Sequence, residues 1–332
     1  MANYLLPFEK PIVELEEKLN ELRRFSESKN IDVSEEIRRM EERIAEMRRR
    51  IYADLTPWHI VQIARHPQRP YTRDYLQLWK CDFIELHGDR RFADDRAIVG
   101  GFARIGGRRV MAIGTQKGRD MKSNVQCNFG CAYPEGYRKA LRLMQMADKF
   151  GLPIVTLIDT PGAYPGVQSE ERHIAEAIAV NLREMFNFSV PIVVTVVGEG
   201  GSGGALGIGV GDRILILQNA YYSVISPEGC AAILWRDKAY ADRAAEALKL
   251  TAPDLRKAGL VDEIVPEPDG GAHTQPEEMA QRLGAAIGRH LDELAAMDPS
   301  ARKASRYDKF RRMGVYQESA DSAPVHSKMD NA

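Results

Sequence analysis

The run Val193-Val194-Thr195-Val196-Val197-Gly198-Glu199-Gly200-Gly201-Ser202-Gly203-Gly204-Ala205-Leu206-Gly207-Ile208-Gly209 holds the residue types best suited to chemistry. A β-rich stretch leads into glycines, and small aliphatic residues then resume. Glycine permits a tight reversal and lets backbone approach a ligand closely, which makes Gly200 and Gly201 candidate binding positions. The N–H groups of Gly203 and Gly204, at the start of a following helix, are placed to face developing negative charge. Such an oxyanion site suits an enolate, an alkoxide or an anionic ureido oxygen, and needs no side-chain donor. The competing reading is that these glycines only let a helix pack tightly on a sheet.

Two short motifs share the same letters. Gly198-x-Gly200-x-x-Gly203 fits the dinucleotide fingerprint, but Gly207, Gly209 and Gly211 interrupt the helix that should follow, and Arg213 to Tyr222 lacks the required acid. Gly200-x-Ser202-x-Gly204 fits a nucleophile elbow, although the sequence does not bring His173 or an aspartate to Ser202.

Other loops flank this segment. Asp159-Thr160-Pro161-Gly162-Ala163-Tyr164-Pro165-Gly166 follows an apolar run and predicts a rigid loop at the carboxyl edge of a sheet, where Gly162, Ala163 and Tyr164 are candidate ligand contacts. Packing of Tyr164 within the loop is an equal alternative. Lys117, Arg119 and Lys122 put three cations after another strand, suited to phosphates or a carboxylate, or simply to a solvated surface. In Ser226-Pro227-Glu228-Gly229-Cys230, Glu228 is expected to serve a helix first turn. Cys127 and Cys131 have no further cysteine pair or nearby histidine to complete a tetrahedral metal site, so no metal is assigned.

The elements that must position these residues follow from periodicity. Ile12, Leu15, Leu19 and Leu22, then Ile37, Met40, Ile44, Met47 and Ile51, recur at three and four, predicting an amphipathic helical hairpin over residues 1–55. Its turn is expected at Ser26 to Asn30, with an Asp32/Glu35 capping box. Pro57 to Arg73 is basic and aromatic and reads as short helices in an irregular stretch, either a solvated linker or an anion contact. From Asp82 strands appear: Phe83–Leu86, then Ala97–Ile105 and Val110–Thr115 joined at Gly106-Gly107. Helices and strands alternate to Val265, implying an α/β domain over 56–298 with helices covering a sheet. Residues 299–332 are polar and read as a basic, partly disordered tail.

Composition limits the function classes. Among 332 residues, 46 Lys+Arg against 47 Asp+Glu disfavour nucleic-acid wrapping. No apolar run approaches the roughly 20 residues of a membrane span. Four cysteines and no apolar leader point to a reducing, cytoplasmic setting.

Taken in order, Phe8-Glu9-Lys10-Pro11 with the hairpin, Asp159 to Gly166, Gly198 to Ala205 and Ser226 to Cys230 give the chain a resemblance to the alpha subunits of bacterial acetyl-coenzyme A carboxylase carboxyltransferase, over residues 4 to about 320. The resemblance implies a crotonase/ClpP-like spiral of ββα units. It implies carboxyl transfer from carboxybiotin on a carrier protein to acetyl-coenzyme A, giving malonyl-coenzyme A for fatty-acid synthesis. It also implies an α2β2 assembly with a zinc-bearing beta subunit, activity only with that partner, and cooperation with the biotin carboxyl carrier protein and biotin carboxylase. No covalently bound cofactor is implied for this chain. Gly203 and Gly204 would hold the biotin ureido oxygen. The alternatives are a stand-alone crotonase-like hydratase or isomerase, for which Glu199 is the only nearby acid or base, and a non-catalytic scaffold.

Overall fold

The computed structural model describes residues 4–29 and 32–314. The apolar spacing of the first segment forms α1 (Lys10–Lys29) and α2 (Ser34–Ala53), whose seam buries Ile12, Leu19 and Ile44. Of the turn expected at Ser26 to Asn30, Ser26 to Lys29 are helical, and Asn30 lies outside the described residues. The Asp32/Glu35 capping box is not formed. Asp32 instead accepts from the Ser34 N–H at 3.0 Å and its hydroxyl at 2.6 Å, while Glu35 pairs with Arg38 and Arg39.

The stretch after the hairpin contains α3 (Pro57–Ala64) and α4 (Thr72–Leu78). It is neither a solvated linker nor an open anion contact. Arg69 is fully buried, donating to Glu267 Oε2 at 2.9 Å and the Val197 carbonyl at 2.6 Å. Its cation is spent inside the protein.

The body continues as β1 (Ile84–Glu85), β2 (Ile98–Ile105), β3 (Arg108–Thr115), α5 (Met121–Gln126), α6 (Pro134–Lys149), β4 (Ile154–Thr160), α7 (Val167–Glu171), α8 (Ile174–Asn187), β5 (Ile192–Gly201) and α9 (Ser202–Leu206). It proceeds through β6 (Arg213–Leu217), β7 (Tyr221–Ser223), α10 (Pro227–Trp235), α11 (Ala241–Leu248), α12 (Ala252–Lys257) and β8 (Glu263–Val265) to α13 (Pro276–Ala295) and α14 (Pro299–Arg311). Gly106 and Gly107, at φ +55° and +81°, make the two-residue turn between β2 and β3, as their order in the sequence predicts. Gly151 at φ +65° follows the end of α6.

One sheet in the order β1-β2-β3-β4-β5-β6-β8 organises the molecule, antiparallel through β3 and parallel thereafter. Every residue of β4 and β5 is buried, because helices cover both faces of a parallel sheet. The long β5 pairs β6 through its first half and β7 through Glu199 to Gly201. Its register with β4 slips between Ile158 and Thr160, which frees Asp159 from the ladder at the point where the glycines begin.

The polar stretch from residue 299 is a correction to the expected tail. It forms α14 up to Arg311, and residues 315–332 lie outside the described residues. Composition misleads here because Arg302 and Arg306 face inward. Arg306 is 1% exposed, donates to both Asp212 carboxylate oxygens at 2.8 Å, and reaches the carbonyls of Met185, Phe188 and Val190. A guanidinium can be buried when its donors are satisfied in this way.

Candidate active site

Strand β5 delivers its glycines to the carboxyl edge of the sheet, and α9 starts at once. A five-residue helix beginning at Ser202 gives the N–H groups of Ser202, Gly203 and Gly204 no acceptor within the helix. Ser202 is exposed, Gly203 half-buried and Gly204 buried.

The glycines have separate reasons to be glycine. A Cβ on Gly204 would lie 2.3 Å from the Gly162 carbonyl carbon and 2.5 Å from the Ala163 nitrogen, so the two loops touch backbone to backbone. A Cβ on Gly201 would lie 2.2 Å from the Pro161 oxygen, and one on Gly200 2.8 Å from the Tyr222 ring. Gly203 differs, since its nearest contact would be Ile178 Cδ1 at an ordinary 3.5 Å. The close-packing reading thus accounts for Gly200, Gly201 and Gly204, but not for Gly203.

Buried polar groups hold the short helix in place. The Tyr137 hydroxyl donates to the Gly204 carbonyl at 3.2 Å, and Asn181 Nδ2 donates to the Gly207 carbonyl at 2.9 Å. Thr160 Oγ1 donates to the Gly162 carbonyl at 2.8 Å and accepts from the Gly162 N–H at 3.1 Å. Tyr164 packs against Tyr133, ring centroids 4.3 Å apart, and its N–H donates to the Ala132 carbonyl at 3.0 Å.

Beneath the glycines lies an ionic network. Lys117 Nζ donates to Asp159 Oδ1 and Glu199 Oε2, each at 2.6 Å. Arg65 donates to Glu199 Oε1 at 2.7 Å and to Glu228 Oε1 at 2.5 Å. The Tyr221 hydroxyl donates to Glu199 Oε1 at 2.7 Å, and the Glu199 N–H donates to Asp159 Oδ1 at 3.0 Å. Burial alone would raise the Glu199 carboxyl, but Lys117 and Arg65 outweigh it and hold it at about 2. Burial likewise opposes the charge on Lys117, and the Asp159 and Glu199 carboxylates overcome it and raise its pKa.

This geometry divides the expected cationic loop. Lys117 is largely buried and paired, not a surface charge. Arg119 is exposed yet occupied, stacking over Tyr71 at 3.9 Å and donating to Asp74 and the Pro67 carbonyl. Lys122 stays exposed in α5. The three do not form one anion site. Glu228 lies in the first turn of α10 as expected, where Ser226 accepts from the Gly229 N–H at 3.1 Å as the cap, and it also pairs with Arg65.

Ser202 occupies the strand-to-helix junction at φ +50°, a strained backbone that an elbow serine adopts. Among the described residues no hydrogen bond joins it to a histidine. The helix after it is five residues long, unlike that of a dinucleotide fold. Burial pushes the Cys131 thiol up to about 11, and among the described residues no cluster of three metal-ligating side chains occurs. No helix among them is long and apolar enough to cross a membrane.

The residues that sequence reasoning missed are Arg65, Arg69, Tyr137 and Asn181. The one available signal was an acid, Glu199, embedded among glycines that bury it.

The chain is similar to known proteins over nearly its whole length. Residues 5–314 match the family described as acetyl co-enzyme A carboxylase carboxyltransferase-like. The chain is 56% identical over 317 residues to the acetyl-coenzyme A carboxylase carboxyl transferase subunit alpha of Synechococcus elongatus, covering 96% of this chain and 97% of that protein. It is 58% identical over 314 residues to the corresponding subunit of Thermosynechococcus vestitus, covering 95% and 97%. A crystal structure of transcarboxylase 12S is similar in fold, with a TM-score of 0.56 at 22% identity over 68% of this chain and 42% of that one. The expected α/β fold with an N-terminal helical hairpin is the fold observed. The chain belongs to the family of acetyl-coenzyme A carboxylase carboxyltransferase alpha subunits and is an enzyme subunit of that class.

Proposed function

We propose that this subunit, joined to a zinc-bearing beta subunit in an α2β2 assembly, transfers the carboxyl group of carboxybiotin to acetyl-coenzyme A. Biotin carboxylase charges the biotin, and a carboxyl carrier protein presents it. The Gly203 and Gly204 N–H groups hold the biotin ureido oxygen. The C–N bond of carboxybiotin breaks, releasing CO2 and leaving negative charge on the ureido group. That anion takes a proton from the acetyl methyl, and the resulting enolate forms a C–C bond to CO2, giving malonyl-coenzyme A. The partner's donors hold the enolate oxygen. Stabilising both anions lowers the barrier without a protein base.

The observation carrying this reading is Gly203, a half-buried glycine with room for a side chain and an N–H that its helix leaves free. Glu199, the only candidate base of a stand-alone enzyme, is held ionised by Lys117 and Arg65 and hydrogen-bonded by Tyr221, so it is poorly placed to donate or accept a proton. Carboxyl exchange between malonyl-coenzyme A and free biotin tests the reading. Activity is expected from the chain with its beta partner and not from the chain alone; robust activity without a partner overturns it.

Exposed apolar side chains support an incomplete site. Leu206 on α9 and Val224 after β7 line one cavity and are 41% and 78% exposed, while Ile233 and Leu234 on α10 are 72% and 62% exposed. Such a concentration marks a protein interface. Ile233→Glu with Leu234→Glu is expected to weaken binding of the beta subunit by tenfold or more, about 1.4 kcal/mol or above, without lowering the isolated chain's melting temperature. Sedimentation of the mixed subunits reads this out. Wild-type association by the double variant would place the interface elsewhere.

A further inference from the structure

A second cluster lies on the side of the sheet covered by α6 and α8. Residues 87–94 form a loop closed on itself: the Gly88 N–H donates to Asp94 Oδ1 at 2.7 Å, the Asp89 N–H to the Ala93 carbonyl at 3.1 Å, and Asp89 Oδ1 accepts from the N–H groups of Arg91, Phe92 and Ala93. Arg90 sits in this loop at φ +65°, a conformation that a long side chain adopts only when its surroundings impose it. Between the loop, α6 and α8 is a cavity of about 280 Å³ lined by Arg90, Arg91, Arg138 and Arg142.

Among the described residues only Arg138 of these four arginines forms an ion pair with a carboxylate, so Arg90, Arg91 and Arg142 stay without one. Asp89 is taken by Arg138 at 2.8 Å, Asp94 by Lys139 at 2.7 Å, and Glu135 by Arg172 at 3.0 Å. Glu176 on α8 also lines the cavity but is exposed to solvent. Arg90 and Arg142 instead converge on one acceptor, the His87 carbonyl, at 2.8 and 3.1 Å, and Arg142 reaches the Gly88 carbonyl at 3.0 Å. Two guanidiniums sharing one neutral oxygen repel each other. Partial burial and the charge of Arg90 accordingly lower the Arg142 pKa. An anion between them would remove the repulsion and use the planar forks of both.

We propose that this cavity is a binding site for a phosphate-bearing ligand, set apart from the glycine turn and built on the rigid 87–94 loop. Its size admits one phosphate or a diphosphate. Two sources share that chemistry, the phosphates of a coenzyme A thioester and a free inorganic anion. The proposal does not depend on which substrate Gly203 serves.

Calorimetric titration of the full chain with inorganic pyrophosphate at physiological ionic strength tests it. One saturable site is expected, with affinity falling at least about tenfold in Arg90→Asn/Arg91→Ala, since charged hydrogen bonds carry most of such binding. Asparagine tolerates the left-handed backbone at position 90, and both side chains are exposed, so the melting temperature should not change. Arg142→Lys, which keeps charge but loses the fork, should fall between the two. Displacement of pyrophosphate by coenzyme A, but not by pantetheine, identifies the coenzyme as the source; no displacement identifies the free anion. Absence of saturable binding, or equal binding by the double variant, overturns the proposal.

Discussion

Gly204→Ala is expected to abolish carboxyl exchange by preventing correct folding, whereas Gly203→Val should fold, assemble and turn over slowly. The contrast follows from surroundings that differ between adjacent glycines. A methyl group at 204 meets main-chain atoms of Gly162 and Ala163 at 2.3 and 2.5 Å, and backbone there cannot yield without moving the whole Asp159 to Gly166 loop. Overpacking of this kind costs about 1–3 kcal/mol or more. At 203 the first neighbour is the end of Ile178 at 3.5 Å, so a side chain enters space beside a free N–H rather than protein. Displacing one oxyanion donor lowers turnover by roughly 10²–10³. Thermal unfolding, subunit association and steady-state kinetics separate the cases. Unaltered turnover in a folded, assembled Gly203→Val would refute the role given to that amide.

The second large effect lies beneath the same turn. Lys117→Met leaves Asp159 and Glu199 buried around a missing cation, and breaking a buried pair costs about 3–5 kcal/mol. Glu199→Gln should be milder, because Lys117 keeps Asp159 and Arg65 keeps Glu228. It also carries a pH signature. The Glu199 carboxyl sits at about 2 in the fold against an ordinary 4.5. Its contribution to stability is therefore complete above pH 4.5 and disappears as the pH falls toward 2. That window is worth about 3 kcal/mol. Urea unfolding of wild type and Glu199→Gln across this range should show the variant losing less stability on acidification. Parallel curves would mean that Glu199 is not the ionised centre of the network.

What the sequence revealed and what it hid divide along physical lines. The helical hairpin and the β2–β3 turn were readable because apolar spacing and paired glycines act over a few residues. The glycine turn was readable because few structures need so many backbone approaches in one place. The roles of Lys117, Arg65 and Arg69 were hidden, since their partners Asp159, Glu199 and Glu267 lie 42, 134 and 198 residues away and meet them only once the sheet closes. A basic, proline-containing stretch looks solvated until its counterions are located. The same blindness made α14 resemble a tail, because nothing local reveals that Arg306 fills a buried acceptor set. Gly203 and Gly204 also looked equivalent in one dimension, and only the neighbouring loop distinguishes them.

The Arg306–Asp212 pair has a consequence for biosynthesis. Asp212 leads into β6 and also accepts from the Ile192 N–H at the start of β5, yet the guanidinium that neutralises it is encoded 94 residues later. A nascent polypeptide can pair its early strands on the ribosome, but it carries an uncompensated acid at their junction until that distant arginine emerges from the exit tunnel. Final consolidation of the central sheet is thereby deferred, leaving a late interval in which chaperones and proteases still have access to the unfinished chain.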